Sequence, residues 1–201
     1  MKLTALATVF LAISIVSCCQ PGLVGKPQVS AEQVQSFNFY EQATMAIWVS
    51  GAGTLSFSDS EHDQNGYVRK IDAGSLQSGV RAVSMIETHP QMKNQGWIEG
   101  RYPEIILGEG LFFHTYVGFR HGADASDGVS FQVFVHTGEE LNLVASQRLF
   151  PRQVKKLDAD LSPWAGKKVQ IILKVLAGKS NSQDQAVWVD PHLDNKPSRA
   201  D

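Results

Sequence analysis

An all-β, antiparallel two-sheet β-sandwich of jelly-roll type is the fold that this sequence predicts for residues 37–193. Two segments alternate with period 2. In Val129–His136 the residues Val129, Phe131, Val133 and Val135 share a face, and in 169–175 Val169, Ile171, Leu173 and Val175 oppose Gln170 and Lys174. Successive side chains on a strand point to opposite sides, so this spacing marks strands with one buried and one solvated face. Turn residues break the chain at short intervals, and no long stretch carries a 3.6-residue period. Many short strands without helices bury their apolar faces by stacking one sheet on another.

The remaining candidate strands are residues 46–50, 80–88, 105–107, 112–119, 141–146, 154–160 and 186–189, each rich in apolar or β-branched residues. Between them lie Gly51-Ala52-Gly53, Asp63-Gln64-Asn65-Gly66, Gly108-Glu109-Gly110, Asp127-Gly128, Thr137-Gly138 and Ala165-Gly166. Glycine and Asn/Asp supply the backbone conformations that such turns need. Upstream, residues 20–36 contain Pro21, Gly22, Gly25 and Pro27 among Gln and Ser, a flexible spacer by composition.

At the amino terminus Lys2 precedes an apolar run over residues 3–16. This is shorter than the ~20 residues of a membrane-spanning helix and suits a secretory signal. The run closes on Ile15-Val16-Ser17-Cys18, which resembles the bacterial lipobox. That resemblance implies cleavage before Cys18, a diacylglycerol thioether on its sulfur, and an acyl chain such as palmitate on the new amino terminus. Ordinary secretion with cleavage near Gln20 is the alternative. The expected organisation is a signal peptide at 1–17, a tether at 18–36 starting from lipidated Cys18, one sandwich domain at 37–193 and a polar tail at 194–201. The implied address is the bacterial cell envelope, lipid-anchored to a membrane, with the outer membrane or cell surface favoured.

Cys18 and Cys19 are the 2 cysteines of the chain. A domain without downstream cysteine excludes disulfide staples, thiol catalysis and zinc–thiolate sites. It stands on its apolar core, which domains of ~150 residues can supply. A net charge of −2, from 18 basic and 20 acidic residues, gives no field for nucleic acid, and no nucleic-acid partner is expected.

In the second half, Phe113-His114-Thr115-Tyr116-Val117-Gly118-Phe119 is followed by Asp127-Gly128-Val129-Ser130-Phe131-Gln132-Val133-Phe134. Then come Leu157-Asp158-Ala159-Asp160-Leu161-Ser162, residues 169–175, and Asp184-Gln185-Ala186-Val187-Trp188-Val189-Asp190-Pro191. This order resembles the core of galactose-binding-like sandwiches, and in particular the bacterial novel putative carbohydrate-binding module. The resemblance covers residues 111–193 and implies a β-sandwich that binds sugars; residues 37–110 depart from the module's pattern.

A sugar presents an apolar CH face to aromatic rings and hydroxyls to polar side chains. Trp48 and Trp188 sit in apolar strands and read as core, while Trp164, after Ser162-Pro163, reads as a plug at the end of the sandwich. Trp97 and Tyr102 instead lie among Asn94-Gln95-Gly96 and Glu99-Gly100-Arg101, two rings beside donors and acceptors. The ligand-binding candidates are therefore Trp97, Tyr102, Glu99 and Arg101, joined by Glu87 and His89 from the strand end Glu87-Thr88-His89-Pro90; a hydrogen-bonded strand end is the other reading of that pair. His62, His136 and His192 are isolated in sequence.

Residues 61–72 approach the spacing of a calcium loop. Glu61 stands where Asp belongs, Asp72 where Glu belongs, and Arg69 and Lys70 lie inside, so this reads as an accidental match. No cofactor is expected; jelly rolls can hold calcium through scattered ligands, and this sequence marks none. There is no nucleophile elbow or carboxylate pair at a set separation, so no catalytic residue is assigned. The expected function is an exported, membrane-anchored, non-catalytic binding lipoprotein recognising carbohydrate. Two alternatives remain: a structural or protein-interaction envelope lipoprotein with a protein partner, and a carbohydrate-active enzyme whose carboxylates are unidentified.

Overall fold

Alternation in the sequence becomes two sheets whose inner faces meet in a shared core. The computed structural model describes residues 32–58, 61–180 and 182–196. Cys18, the expected signal peptide and residues 18–31 of the tether lie outside the described residues.

The strands in order are β1 (Gln33–Val34), β2 (Phe37–Asn38), β3 (Ile47–Ser50), β4 (Gly53–Thr54), β5 (Tyr67–Ser75), β6 (Arg81–His89) and β7 (Trp97–Arg101). They continue as β8 (Ile105–Leu107), β9 (Phe112–Phe119), β10 (Val129–His136), β11 (Leu141–Leu149), β12 (Lys155–Asp160), β13 (Lys168–Leu176) and β14 (Ala186–Asp194). Short 3₁₀ turns at Ala43–Met45 and Ser162–Trp164 complete the regular structure among the described residues.

The larger sheet runs β11-β10-β13-β7-β3-β4, with β8 pairing the start of β13 and β1 lying parallel on β8. The smaller sheet runs β12-β9-β14-β6-β5, with β2 on the far end of β14. The two-sheet sandwich of the sequence reading is therefore the observed fold.

Core residues come from the inward half of each alternation. Val129, Phe131, Val133 and Val135 of β10 and Val169, Ile171, Leu173 and Val175 of β13 are buried, facing Val117, Phe119, Ile86 and Trp188 of the other sheet. Phe131 meets Trp188 edge-on at 5.0 Å between ring centres. At one end, Phe37, Phe39, Tyr102 and Phe113 form a chain of edge-to-face rings that Trp48 joins through Tyr102. Trp48 and Trp188 are core, as expected, and Trp164 is half-buried against that core.

Four stretches differ from the sequence reading, one of them residues 97–101, which form β7 where no strand was expected. The segment that mimicked a calcium loop contains most of β5, where Arg69 pairs with Glu87 of β6 instead of interrupting a cation site. Arg69 broke the apolar pattern because it faces the buried Glu87 and not water. Gln33 and Val34, expected in the tether, pair with Ile106 and Leu107, and the Gly108 amide donates to the Val34 carbonyl at 2.9 Å. A Cβ on Gly108 would lie 2.5 Å from that carbonyl oxygen, so glycine permits the approach. At the other end β14 runs past residue 193 to Asp194, and the Lys196 carbonyl accepts a hydrogen bond from His114.

Asp184, fully buried, accepts a hydrogen bond from the Ser126 hydroxyl. Asp127 accepts from the Lys179 and Ser180 amides. Asp127 and Asp184, which open two of the motifs quoted for the resemblance, thus hold loops onto the sandwich.

One contact fixes the strand that matters below. A Cβ on Gly100 would lie 2.5–2.7 Å from the six-membered ring of Trp48. Gly100→Ala is expected to destabilise the domain by about 1–3 kcal/mol through overpacking, measured by urea denaturation; an unchanged midpoint would show that the indole has room to move.

Candidate functional site

Strand parity builds one outward face. On β7, Ile98 and Gly100 face the core, which leaves Trp97, Glu99 and Arg101 pointing outward. Register carries the face sideways: on β13, Ile172 lies opposite Arg101, Lys174 opposite Glu99, and Leu176 opposite Trp97. On β10, Phe134 lies opposite Ile172, Gln132 opposite Lys174, and His136 opposite Gln170. On β11, Leu143 and Leu141 lie opposite Phe134 and His136, with a bulge between Val133 and Phe134 that shifts the register.

At the centre is a pocket of about 240 Å³. Its polar walls are Glu99, Arg101, Gln170, Lys174 and His136, and its apolar lining is Phe134, Ile172 and Leu141. Glu99 is held between two cations. Its Oε1 accepts from Arg101 Nε at 2.9 Å and Nη2 at 2.6 Å, and its Oε2 pairs with Lys174 Nζ at 2.9 Å. Burial pushes the Glu99 carboxyl up, but the hydrogen bonds and charges of Lys174 and Arg101 outweigh it and hold the group below the ordinary carboxylate value. Lys174 Nζ also stands 4.7 Å over the Trp97 ring, a cation–π contact. Gln170 donates through its amide to the Tyr102 carbonyl.

Three of the six residues chosen from the sequence, Trp97, Glu99 and Arg101, come together here. The other three do not. Tyr102 is 1% exposed. It continues the parity of β7 into the core, where its hydroxyl donates to the Phe39 carbonyl, and its ring cannot meet a ligand.

Glu87 and His89 lie on the smaller sheet, because the chain crosses from one sheet to the other between β6 and β7. Both are buried. Glu87 accepts from Arg69 at 2.8 and 3.0 Å, from Arg120 at 3.1 Å and from the Tyr67 hydroxyl at 3.0 Å, while Glu61 pairs with both arginines. Burial pushes the Glu87 carboxyl up, with Arg69 and Tyr67 pulling the other way. His89 stacks on Tyr67, and its Nδ1–H donates to the Pro90 carbonyl at 2.7 Å. Burial lowers its pKa and favours the neutral ring. This network is a structural clamp between strands and loops.

Sequence reasoning missed Phe134, His136, Gln170, Ile172 and Lys174 as site residues. A usable signal was the complement of the core pattern: Phe134 is an aromatic residue on the otherwise polar set Ser130, Gln132, Phe134 and His136. His192, isolated in sequence, lies with its ring centre 5.6 Å from that of His114, which pairs with Asp158. Among the described residues no group of three or more His, Cys, Asp or Glu side chains is arranged to hold a metal ion.

A larger cleft of about 810 Å³ opens on the outer side of the smaller sheet between Val80, Val83, Tyr116, Val154 and Val189. Its polar side chains besides the Tyr116 hydroxyl are Arg81, Ser84 and Asp190, so it offers few partners to a polyhydroxylated ligand. The smaller pocket combines an apolar surface with convergent donors and acceptors, and it is the better-formed polar site. Glu99 is the one carboxylate among its described lining residues. Ion pairing keeps Glu99 charged, which suits an acceptor of hydrogen bonds and not a donor of protons; glycoside cleavage by an acid–base pair would need a second carboxylate.

No family model matches the sequence, and no curated protein matches it. Solved structures do. The second family-51 carbohydrate-binding module and INT domains of Clostridium perfringens ZmpB, in complex with GlcNAc, match at 20% identity over 81% of this chain and 32% of that chain, with a TM-score of 0.50. This chain therefore spans about a third of that one. The module CBM27-1 of Caldicellulosiruptor saccharolyticus with mannohexaose matches at 11% identity over 83% of this chain and 100% of that chain, TM-score 0.49. The CBM22-1 xylan-binding domain of Paenibacillus barcinonensis Xyn10C matches at 14% over 84% and 100%, TM-score 0.47. The likeness is one of fold: the structural neighbours are carbohydrate-binding modules built as β-sandwiches.

The Glu99 geometry predicts a pH-dependent stability. A carboxyl whose folded pKa lies below its unfolded value contributes stability that is present above the unfolded value and lost as pH falls through the folded one. Glu99→Gln is expected to cost about 1–2 kcal/mol at pH 7, at the low end for a charged hydrogen bond because both cations reach solvent. Denaturation at pH 7 and pH 3 should show that difference shrinking in acid; a difference constant with pH would contradict the ion-paired state.

Proposed function

We propose that this protein is a non-catalytic carbohydrate-binding lipoprotein, exported and held to the bacterial envelope, whose ligand lies on the outer face of the larger sheet. The observation that carries the proposal is the pocket in which half-buried Phe134 and buried Ile172 adjoin Arg101, Lys174, Glu99, Gln170 and His136. A pyranose ring has the matching duality, with an apolar face for Phe134 and hydroxyls for side chains already fixed by hydrogen bonds. Fixed partners lower the ordering cost of binding. Trp97 contributes from the edge of this face, with Lys174 covering part of its ring.

The β-sandwich shared with carbohydrate-binding modules supports this reading at the level of fold. Anchoring rests on the lipobox resemblance at Cys18 and on the spacer composition that follows it. Two or more acyl chains hold a protein stably where one does not. The lipid bilayer is then the partner of the amino terminus and the glycan the partner of the sandwich.

Calorimetry of the soluble domain against xylo-, manno- and GlcNAc-containing oligosaccharides, extended to acidic oligosaccharides, tests the ligand. Phe134→Ala is expected to weaken binding by about tenfold, the loss of one stacking contact; absence of binding to the whole panel would overturn the proposal. For the anchor, the full chain expressed in bacteria should partition into a detergent phase and Cys18→Ser into the aqueous phase. Aqueous partition of both would reject lipidation.

A further inference from the structure

The charges around the pocket do not balance. Glu99 divides one negative charge between two cations, its Oε1 serving Arg101 and its Oε2 serving Lys174. The triad therefore keeps an excess of one positive charge. Arg101 uses its Nε and Nη2 edge on Glu99, which leaves the end-on Nη1 and Nη2 hydrogens directed elsewhere, and its side chain is 46% exposed. Glu139 and Glu140 belong to the turn beyond the His136–Leu141 pair and do not line the pocket.

A neutral ring laid over this triad would strip water from an uncompensated cation, and desolvating an unbalanced charge is costly. A carboxylate on the ring offsets that cost, and a guanidinium end-on edge matches two carboxylate oxygens. We propose that the preferred ligand of this face is an acidic glycan whose sugar carboxylate sits against Arg101 and Lys174: a uronate-containing oligosaccharide. This inference rests on the glycan-binding reading of the same pocket and narrows it to a chemical class.

The test compares oligogalacturonate and oligoalginate with their carboxyl-reduced counterparts and with neutral xylo- and manno-oligosaccharides, by calorimetry on the soluble domain. At least one uronate is expected to bind about tenfold tighter than its reduced form, with the preference fading as salt rises from about 0.05 to about 0.5 M. Arg101→Gln and Lys174→Gln should each remove most of that preference. Because the wild-type comparison of native and reduced ligand needs no variant, misfolding of either variant leaves the result readable. Equal or tighter binding of the neutral sugars overturns the acidic-ligand inference and leaves the glycan-binding reading standing. Failure of every oligosaccharide to bind overturns both. Equal binding of dextran sulfate marks simple ion exchange and also overturns the uronate assignment.

Discussion

The space above Gly100 is filled by the indole of Trp48, and the orientation of the candidate site depends on this contact. A residue with a side chain at 100 would have to displace the largest ring on β3 or turn β7 over. Turning β7 would bury Glu99 and Arg101 and expose Ile98, exchanging one favourable face for two unfavourable ones. Parity is therefore held from both sides: by sterics on the inner face and by the cost of burying charge on the outer. Once β7 is fixed, the register with β13 and β10 brings Lys174, Gln170 and Phe134 alongside it without further choice.

Buried charge has two different uses on the two sheets. Glu87 is fully buried, its carboxylate is taken up by Arg69, Arg120 and Tyr67, and Glu61 pairs with the same two arginines, so the network serves cohesion. Glu99 has a comparable pair of cationic partners, but those partners lie at the surface and keep unused donors. The two networks differ in charge balance: Glu61 and Glu87 together match Arg69 and Arg120, whereas Glu99 alone faces Arg101 and Lys174.

The sheet architecture was legible in the sequence because its central strands are simple. In Val129–His136 apolar alternation runs the whole length of the element and its bounds follow from it, and in β13 it runs from Val169 to Val175. β5 was not legible, because Arg69, Lys70 and Asp72 interrupt the pattern for reasons visible only when Glu87, Tyr40 and Lys70's ring contact with Tyr40 are in place. Half of the candidate site was legible for a different reason. Trp97, Glu99 and Arg101 stood out as an aromatic and two charged residues close together, although no strand was expected there; in β7 period 2 groups them, and the same rule sends Tyr102 inward. Glu87 and His89 are close to Trp97 along the chain, but Pro90 ends β6 and the following turn changes sheets. Lys174 and Gln170 were visible as the polar side of a strand, yet their neighbours on that face are set by pairing partners distant in sequence, which local pattern does not carry.

The parallel attachment of β1 to β8 has a mechanical consequence. Pairing of Gln33 and Val34 is the first ordered contact met from the amino-terminal side of the described chain, and it involves two residues where the core strands involve eight or nine. Tension applied upstream of Gln33 loads that short pair, including the Val34–Gly108 hydrogen bond, before it reaches the long ladders. The pair can peel away and release extended chain at about 3.3 Å per residue, acting as a mechanical fuse that gives slack while strands β7, β10 and β13 keep their pairing.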